Sequence, residues 1–338
     1  MYMLHTDDSI LAGPDAMEID DIVKQMADAK LAVTEEGDLS NFLGANIDRR
    51  SDSAIHMSQP LLTKQTLKEL RLDQDNVKTK SAPAASSQMS RRHPNSKPHD
   101  NSFHFKSAIG KLNCLEKASR SDISCITHQC ARFVSNLKIE HTRATRWLGR
   151  HLKGTVDKGA VLGPDPSQGL EVHVDADFAG NWDPKDTSNP DTARSRHGCC
   201  IMCAGCPITW KSQLQTEFAL SSAESEYAGL SCALREAIPV MELLNEMKAN
   251  GFKVHTTTPE VHCKVFEDNS GALEMARTYK FRPRTKHLNC RLHHFRHYVE
   301  RGSTSVHPIA SEDQLADMLT KPVNEKTIVR LRKLVLGW

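Results

Sequence analysis

Residues 172–180 read Val172-His173-Val174-Asp175-Ala176-Asp177-Phe178-Ala179-Gly180. Apolar and polar residues alternate, which is the period of a half-buried strand. Val172, Val174 and Ala176 point to one face; His173, Asp175 and Asp177 point to the other. Carboxylates are disfavoured in mid-strand, and two on one face repel each other unless a cation lies between them. Taken alone, the stretch reads as a solvated edge strand with its polar side outward. Three carboxylate positions further along the chain favour a different reading.

Working outward, the pattern predicts strands over 169–178, 197–204 and 206–213, with a polar loop at 181–195. A long helix over 222–250 follows, then a strand over 261–267 and a helix over 269–278. A basic helix over 285–301, a strand over 303–308, a helix over 312–320 and a terminal helix complete the order. Three neighbouring strands followed by alternating helices and strands describe a mixed α/β sheet with packed helices. Pro239 is expected to kink or split the long helix.

In such sheets, ligand sites form at the carboxyl ends of strands. Asp175 lies on the first strand, Glu226 in the first turns of the long helix, Asp268 at the end of the fourth strand, and Asp317 near the C-terminus. Glu224 and Glu226 are both candidates for the helix position. Ser221-x-x-Glu224 has the spacing of a capping box, which gives Glu224 a structural task. Glu226 lies beside the apolar stripe of Ala223, Tyr227, Leu230 and Leu234. The cluster reads as having no neutralising Lys or Arg nearby in sequence, so it calls for a hard cation. All-oxygen ligation points to Mg2+ or Mn2+ rather than zinc. Two such ions about 4 Å apart activate water and stabilise in-line displacement at phosphorus. Judged singly, each acid is a solvated surface group.

Five motifs in this region resemble, in order, those of the ribonuclease H of copia-type long-terminal-repeat retrotransposons. They are Val174-Asp175-Ala176-Asp177-Phe178-Ala179-Gly180-Asn181, Ala219-Leu220-Ser221-Ser222-Ala223-Glu224-Ser225-Glu226-Tyr227, Glu267-Asp268-Asn269-Ser270-Gly271-Ala272, Arg284-Thr285-Lys286-His287 and Gln314-Leu315-Ala316-Asp317-Met318-Leu319-Thr320-Lys321-Pro322. Any one alone is weak; five in order are a strong signal. Upstream, His5-Thr6-Asp7-Asp8-Ser9-Ile10-Leu11-Ala12-Gly13 is similar to the reverse-transcriptase palm motif, with His5 where that motif carries an aromatic. Phe42-Leu43-Gly44 resembles the strand after it, and Phe105–Gly154 resembles the thumb and connection.

The resemblance implies a ribonuclease H-like mixed sheet with packed helices, preceded by a truncated palm remnant and a helical thumb/connection region. It divides the chain into 1–77 (palm end and start of thumb), 78–102 (flexible linker), 103–160 (helical thumb/connection), 165–322 (ribonuclease H-like) and 323–338 (C-terminal helix or tail). It implies Asp175, Glu226, Asp268 and Asp317 as catalytic ligands of two Mg2+ ions, with Asp7 and Asp8 as a polymerase remnant. The implied substrate is the RNA strand of an RNA–DNA hybrid, cut to leave 5′-phosphate and 3′-hydroxyl ends. A full-length retrotransposon polymerase is the implied protein partner. No autonomous polymerase activity is expected, because the fingers, most of the palm and the third polymerase carboxylate are missing.

The basic segment 280–301 supports this reading independently. Lys280, Arg282, Arg284, Lys286, Arg291, Arg296 and Arg301 are opposed only by Glu300, and Leu288, Leu292, Phe295 and Val299 make one apolar face. Arg284, Lys286, His287, Arg291 and Arg296 are the nucleic-acid-binding candidates; the bland alternative is a merely soluble helix. Lys138, Arg143, Arg146, Arg150 and Lys153 form a second basic stretch, read either as a solvated face or as a phosphate contact.

Composition bounds the rest. The chain has 338 residues, 38% of them hydrophobic, and a formal net charge of +2. Global disorder is excluded, and nucleic-acid affinity must come from local patches. No run of about 18 apolar residues is present, so no membrane span is expected. With no basic leader at Met1–Pro14 and ten cysteines without regular spacing, reduced thiols and an intracellular location, cytoplasmic or nuclear, are expected. Cys199, Cys200, Cys203 and Cys206 have zinc-like spacings. They fall on a hairpin with its turn at Ala204-Gly205-Cys206-Pro207, where four ligands so close together form a poor tetrahedron. The competing functional reading is a catalytically silent nucleic-acid-binding remnant with an unfilled site.

Overall fold

The computed structural model describes residues 1–6, 8–85, 96–184, 189–254, 256, 259–278 and 294–338. The chain opens with a hairpin of β1 (Tyr2–His5) and β2 (Asp8–Leu11), then α1 (Ala16–Asp28), capped by the Asp15 carboxylate. A small antiparallel sheet follows, of β3 (Asn41–Phe42), β4 (Ala45–Arg49) and β5 (Ile55–Ser58), closed by the later strand β6 (Gly159–Leu162). The sequence reading did not foresee β6. A Cβ at Gly159 would lie 2.0 Å from the Met57 carbonyl oxygen, so only glycine admits this pairing.

Between β5 and β6 lie α2 (Pro60–Glu69), α3 (Phe105–Ala118), α4 (Ser124–Ala131) and α5 (Ile139–Lys153). They pack around Leu67, Leu70, Leu112, Leu115, Ile123, Leu148 and Leu152. The described ends of the stretch expected to be a linker are tied to this body. Trp147 Nε1 donates to the Ala82 carbonyl, and His99 Nδ1 lies 2.6 Å from the Thr142 hydroxyl.

The five-stranded sheet contains β7 (Leu170–Asp177), β8 (Arg196–Cys203), β9 (Cys206–Leu214), β10 (Cys263–Glu267) and β11 (Thr304–Pro308), in the order β11-β10-β7-β8-β9. β8 and β9 run antiparallel to their neighbours, while β10 and β11 are parallel to β7. α6 (Ser222–Ala249) covers one face, burying Val172, Val174, Cys199 and Ile201 against Tyr227, Leu230 and Leu234. α7 (Ser270–Arg277) and α8 (Arg296–Glu300) extend that layer. The opposite face, with Cys200, Met202 and Trp210, is covered by α9 (Asp317–Thr320) and α10 (Glu325–Leu336). This is the ribonuclease H-like mixed sheet with packed helices that the motifs imply. Among the described residues, no helix is long and apolar enough to cross a membrane.

The bland reading of the first strand falls away, and three expectations change. β7 is the central strand of the sheet rather than a solvated edge, so His173 and Asp175 are buried. α6 runs unbroken through Pro239, because Pro239 lies on the exposed side, where the unpaired Arg235 carbonyl is within reach of water. The helix expected over 312–320 is a 3-10 turn at Ser311–Asp313 and the short α9, separated by the extended Gln314. The hairpin turn is Ala204-Gly205 alone, both residues at positive φ. Cys199 and Cys200 point to opposite faces of β8, into separate cores.

Candidate active site

The site forms where β7 and β10 part. Their register ends at His173 and Phe266. Gln314 fills the fork beyond, its Nε2 donating to the Val174 carbonyl at 2.7 Å. That hydrogen bond ties the approach to α9 to the sheet and sets Asp317 beside the end of β7.

Each acid is delivered by a local rule. Asp175 stands opposite Gly198 on β8, and the Thr320 hydroxyl donates to its Oδ2. Glu226 lies one turn into α6, which the Ser221 hydroxyl caps by accepting from the Glu224 N–H at 3.2 Å. The Glu224 carboxylate reaches back to the Leu220 N–H at 2.8 Å, one residue before the cap rather than to the cap itself. Glu224 is thus engaged at the helix start, while Glu226 is 6% exposed and turned to the sheet. Asp268 follows β10 directly. It is fixed by Asn269, whose side chain caps α7 by accepting from the Ala272 N–H, and by the Ser311 hydroxyl donating to Asp268 Oδ2 at 2.6 Å.

Carboxylate oxygens of Asp175, Glu226 and Asp268 lie within 4.8 Å of one another, close enough to share an ion. Asp317 is outside that set. Its Oδ1 pairs with the Lys321 ammonium at 2.8 Å, and the same ammonium is 3.8 Å from Asp175 Oδ2. The expectation of no neutralising base nearby is therefore corrected: Lys321 follows Asp317 by one helical turn and meets the cluster.

Sequence reasoning also assigned no role to Glu267. The alternation of β10 places it with Cys263 and Val265 on the α6 side, where it is fully buried. Its Oε1 accepts from the Asn269 N–H, and its Oε2 has no hydrogen-bond partner. Alternation along β10 was the signal that could have revealed it. Burial, then the neighbouring Glu267, Asp175 and Asp268 charges, hold the Glu226 carboxyl well above its ordinary range. Burial raises Glu267 to about 8. It also raises Asp175 to about 6, against the pull of Lys321 and the Thr320 hydroxyl.

The other sequence candidates fall elsewhere. Arg284, Lys286, His287 and Arg291 lie outside the described residues, as does Asp7. Arg296 turns inward and donates to the Met275 carbonyl at 2.7 Å. Asp8 is exposed at the start of β2.

A central strand, an N-terminal helix glutamate and a strand-end aspartate converge at one rim of the ribonuclease H-like sheet. No protein-family model matches the chain. Among curated proteins the chain is similar to retrovirus-related Pol polyproteins of transposons, in line with the motifs. That of transposon RE2 from Arabidopsis thaliana is 29% identical over 328 residues, 96% of this chain and 21% of that protein. That of transposon TNT 1-94 from Nicotiana tabacum is 28% identical over 342 residues, 99% of this chain and 24% of that protein. The chain thus spans about a fifth to a quarter of the length of these relatives. Among solved structures, the N-terminal ribonuclease H domain of a Mycobacterium tuberculosis protein matches at 13% identity with a TM-score of 0.30. The match covers 49% of this chain and 97% of that one. A ribonuclease H1 isolated from compost matches at 17% identity with a TM-score of 0.32, over 48% and 97%.

Proposed function

We propose that this chain hydrolyses the RNA strand of RNA–DNA hybrids, using divalent cations held by Asp175, Glu226, Asp268 and Asp317. One observation carries the reading: three carboxylates from three separate elements converge within 4.8 Å at the rim of the sheet. The donor set fits a hard cation. It is all oxygen, and Glu226 Oε2 is buried without a hydrogen-bond partner, an arrangement that is unfavourable unless a ligand completes it. Bound magnesium or manganese supplies charge stabilisation at phosphorus and a more acidic water.

The chain's own residues do the rest. Gln314, Asn269, Ser311 and Thr320 fix the directions of the carboxylates, so little reorganisation is needed when substrate arrives. The sheet and α6 keep Glu226 and Asp175 out of bulk water, which strengthens their pull on a cation. The 280–301 segment supplies cationic side chains for the phosphate backbone, with Arg284, Lys286, His287 and Arg291 as the contacts and Arg296 securing the segment to α7. A full-length retrotransposon polymerase is the proposed protein partner, on the strength of the Pol homology.

The test is cleavage of an end-labelled RNA–DNA hybrid with and without Mg2+. Cleavage of the RNA strand is expected to require the ion. Asp268→Asn is expected to abolish it while retaining hybrid affinity at matched ionic strength. Arg284→Ala and Lys286→Ala are expected to weaken binding and flatten its salt dependence. Binding without cleavage by the parent chain would instead establish the silent remnant.

A further inference from the structure

We propose that Lys321 is a built-in cation that splits the carboxylate rim into unequal halves: free of nucleic acid, the chain takes one divalent ion on the Asp175–Glu226–Asp268 side, while the Asp317 side is already neutralised. This rests on the metal-binding reading above and adds which residue sets the stoichiometry.

Three observations carry it. The mutual 4.8 Å set contains Asp175, Glu226 and Asp268 but not Asp317. Glu226 Oε2, on a side chain 6% exposed, has no hydrogen-bond partner among the described residues, so that side of the rim is left open to a ligand. Asp317 is instead ion-paired within its own turn: Lys321 Nζ sits 2.8 Å from its Oδ1 and 3.8 Å from Asp175 Oδ2. The ammonium is therefore shared between Asp317 and Asp175.

A divalent ion on those same oxygens would lie within a few ångströms of the ammonium. Like charges that close repel strongly outside bulk water, and a doubly charged ion doubles the repulsion. An ion on the Asp317 side and the ammonium, 2.8 Å from Asp317 Oδ1, therefore exclude each other. Removal of Lys321 is open to the chain, because its side chain is 42% exposed and ends a flexible four-carbon stem. An incoming phosphate offers the ammonium an alternative partner. Lys321 is thus a positioning residue: it holds Asp317 and Asp175 in place until substrate and a second ion replace it.

The experiment counts Mn2+ bound to the metal-free chain without nucleic acid, by calorimetry and by loss of the free-ion electron paramagnetic resonance signal. The parent is expected to bind one ion, and Lys321→Met and Lys321→Gln two. Lys321→Arg, which keeps the charge, is expected to stay at one. Asp268→Asn is expected to lose the single ion, while Asp317→Asn keeps it. Two ions in the parent, or one in both Lys321→Met and Lys321→Gln, overturns the role of Lys321 and leaves the metal reading intact. No Mn2+ bound by the parent, Lys321→Met or Lys321→Gln overturns the metal reading itself. Circular dichroism of each variant verifies that the counted protein is folded.

Discussion

At the scale of single residues, two glutamates two positions apart have different tasks. Glu224 completes the start of α6 by accepting from the Leu220 N–H, whereas Glu226 is buried against Asp175, Asp268 and Glu267. Glutamine can still accept that backbone hydrogen bond, so Glu224→Gln is expected to retain cleavage. Glu226→Gln replaces a buried carboxyl that can ionise only among like charges. It is expected to abolish hydrolysis while leaving the melting temperature of the metal-free protein unchanged or slightly raised. Paired measurements of Mg2+-dependent cleavage and thermal unfolding decide the assignment; an active Glu226→Gln beside an inactive Glu224→Gln reverses it. A buried carboxyl beside Glu226 that stays protonated near neutrality adds no full charge to the rim, so Glu267→Gln is expected to bind Mn2+ nearly as the parent does.

At the scale of elements, the seating of α9 on β8 decides where Asp317, Thr320 and Lys321 stand. A Cβ at Gly198 would fall 2.6 Å from the Leu319 Cβ, and Gly198 is the residue directly opposite Asp175. Gly198→Ala must push α9 outward. The expected cost is about 1–3 kcal/mol of stability, as for other overpacked sites, together with loss of the Thr320–Asp175 hydrogen bond and weaker cleavage. Denaturant unfolding and hydrolysis rates measure the two effects. This contact also marks where sequence reading stopped. The strands and α6 were legible because alternation and a capping serine are local signals. Asp175, Glu226 and Asp268 were legible because each sits at a fixed offset from such a signal. Three things were not legible. The covering of β7 on its polar face depends on Gln314 and α9, about 140 residues away. β6 pairs with a strand 100 residues upstream. Lys321 is harmless in sequence and meets the cluster only because Gln314 reaches into the fork of the sheet.

At the scale of the whole molecule, the rim is tied to the helical body by buried polar contacts. Arg196 on β8 donates to Gln129 at 2.7 Å, and the Trp210 indole on β9 donates to the Glu116 carbonyl at 2.7 Å. Strain at the carboxylates is therefore expected to register in global unfolding. Its pH dependence has two opposing parts. Burial lowers His173 and His197 to about 4. The unfolded chain binds those protons first, so their contribution to stability is lost as pH falls from about 6.5 toward 4. The raised carboxyls act in the other direction. Folded Asp175, Glu267 and Glu226 keep protons that the unfolded chain has released above about 4.5, so stability falls as pH rises toward their folded values. Asp175 has finished by about pH 7, and the histidines are neutral in both states there. The buried thiols, whose values are raised, begin to matter only above about 8.5. Between pH 7 and 8 the Glu226–Glu267 pair dominates. The metal-free protein is expected to lose stability across that unit, on the order of 1 kcal/mol for each glutamate still protonated in the fold. Glu226→Gln is expected to flatten the slope, as is saturating Mg2+, because the ion replaces the proton between the carboxylates. Melting temperatures in chelator at constant ionic strength measure it. A parent slope that is flat or rising from pH 7 to 8 would mean that the glutamates are ionised in the folded chain and that the rim is already neutralised by another route.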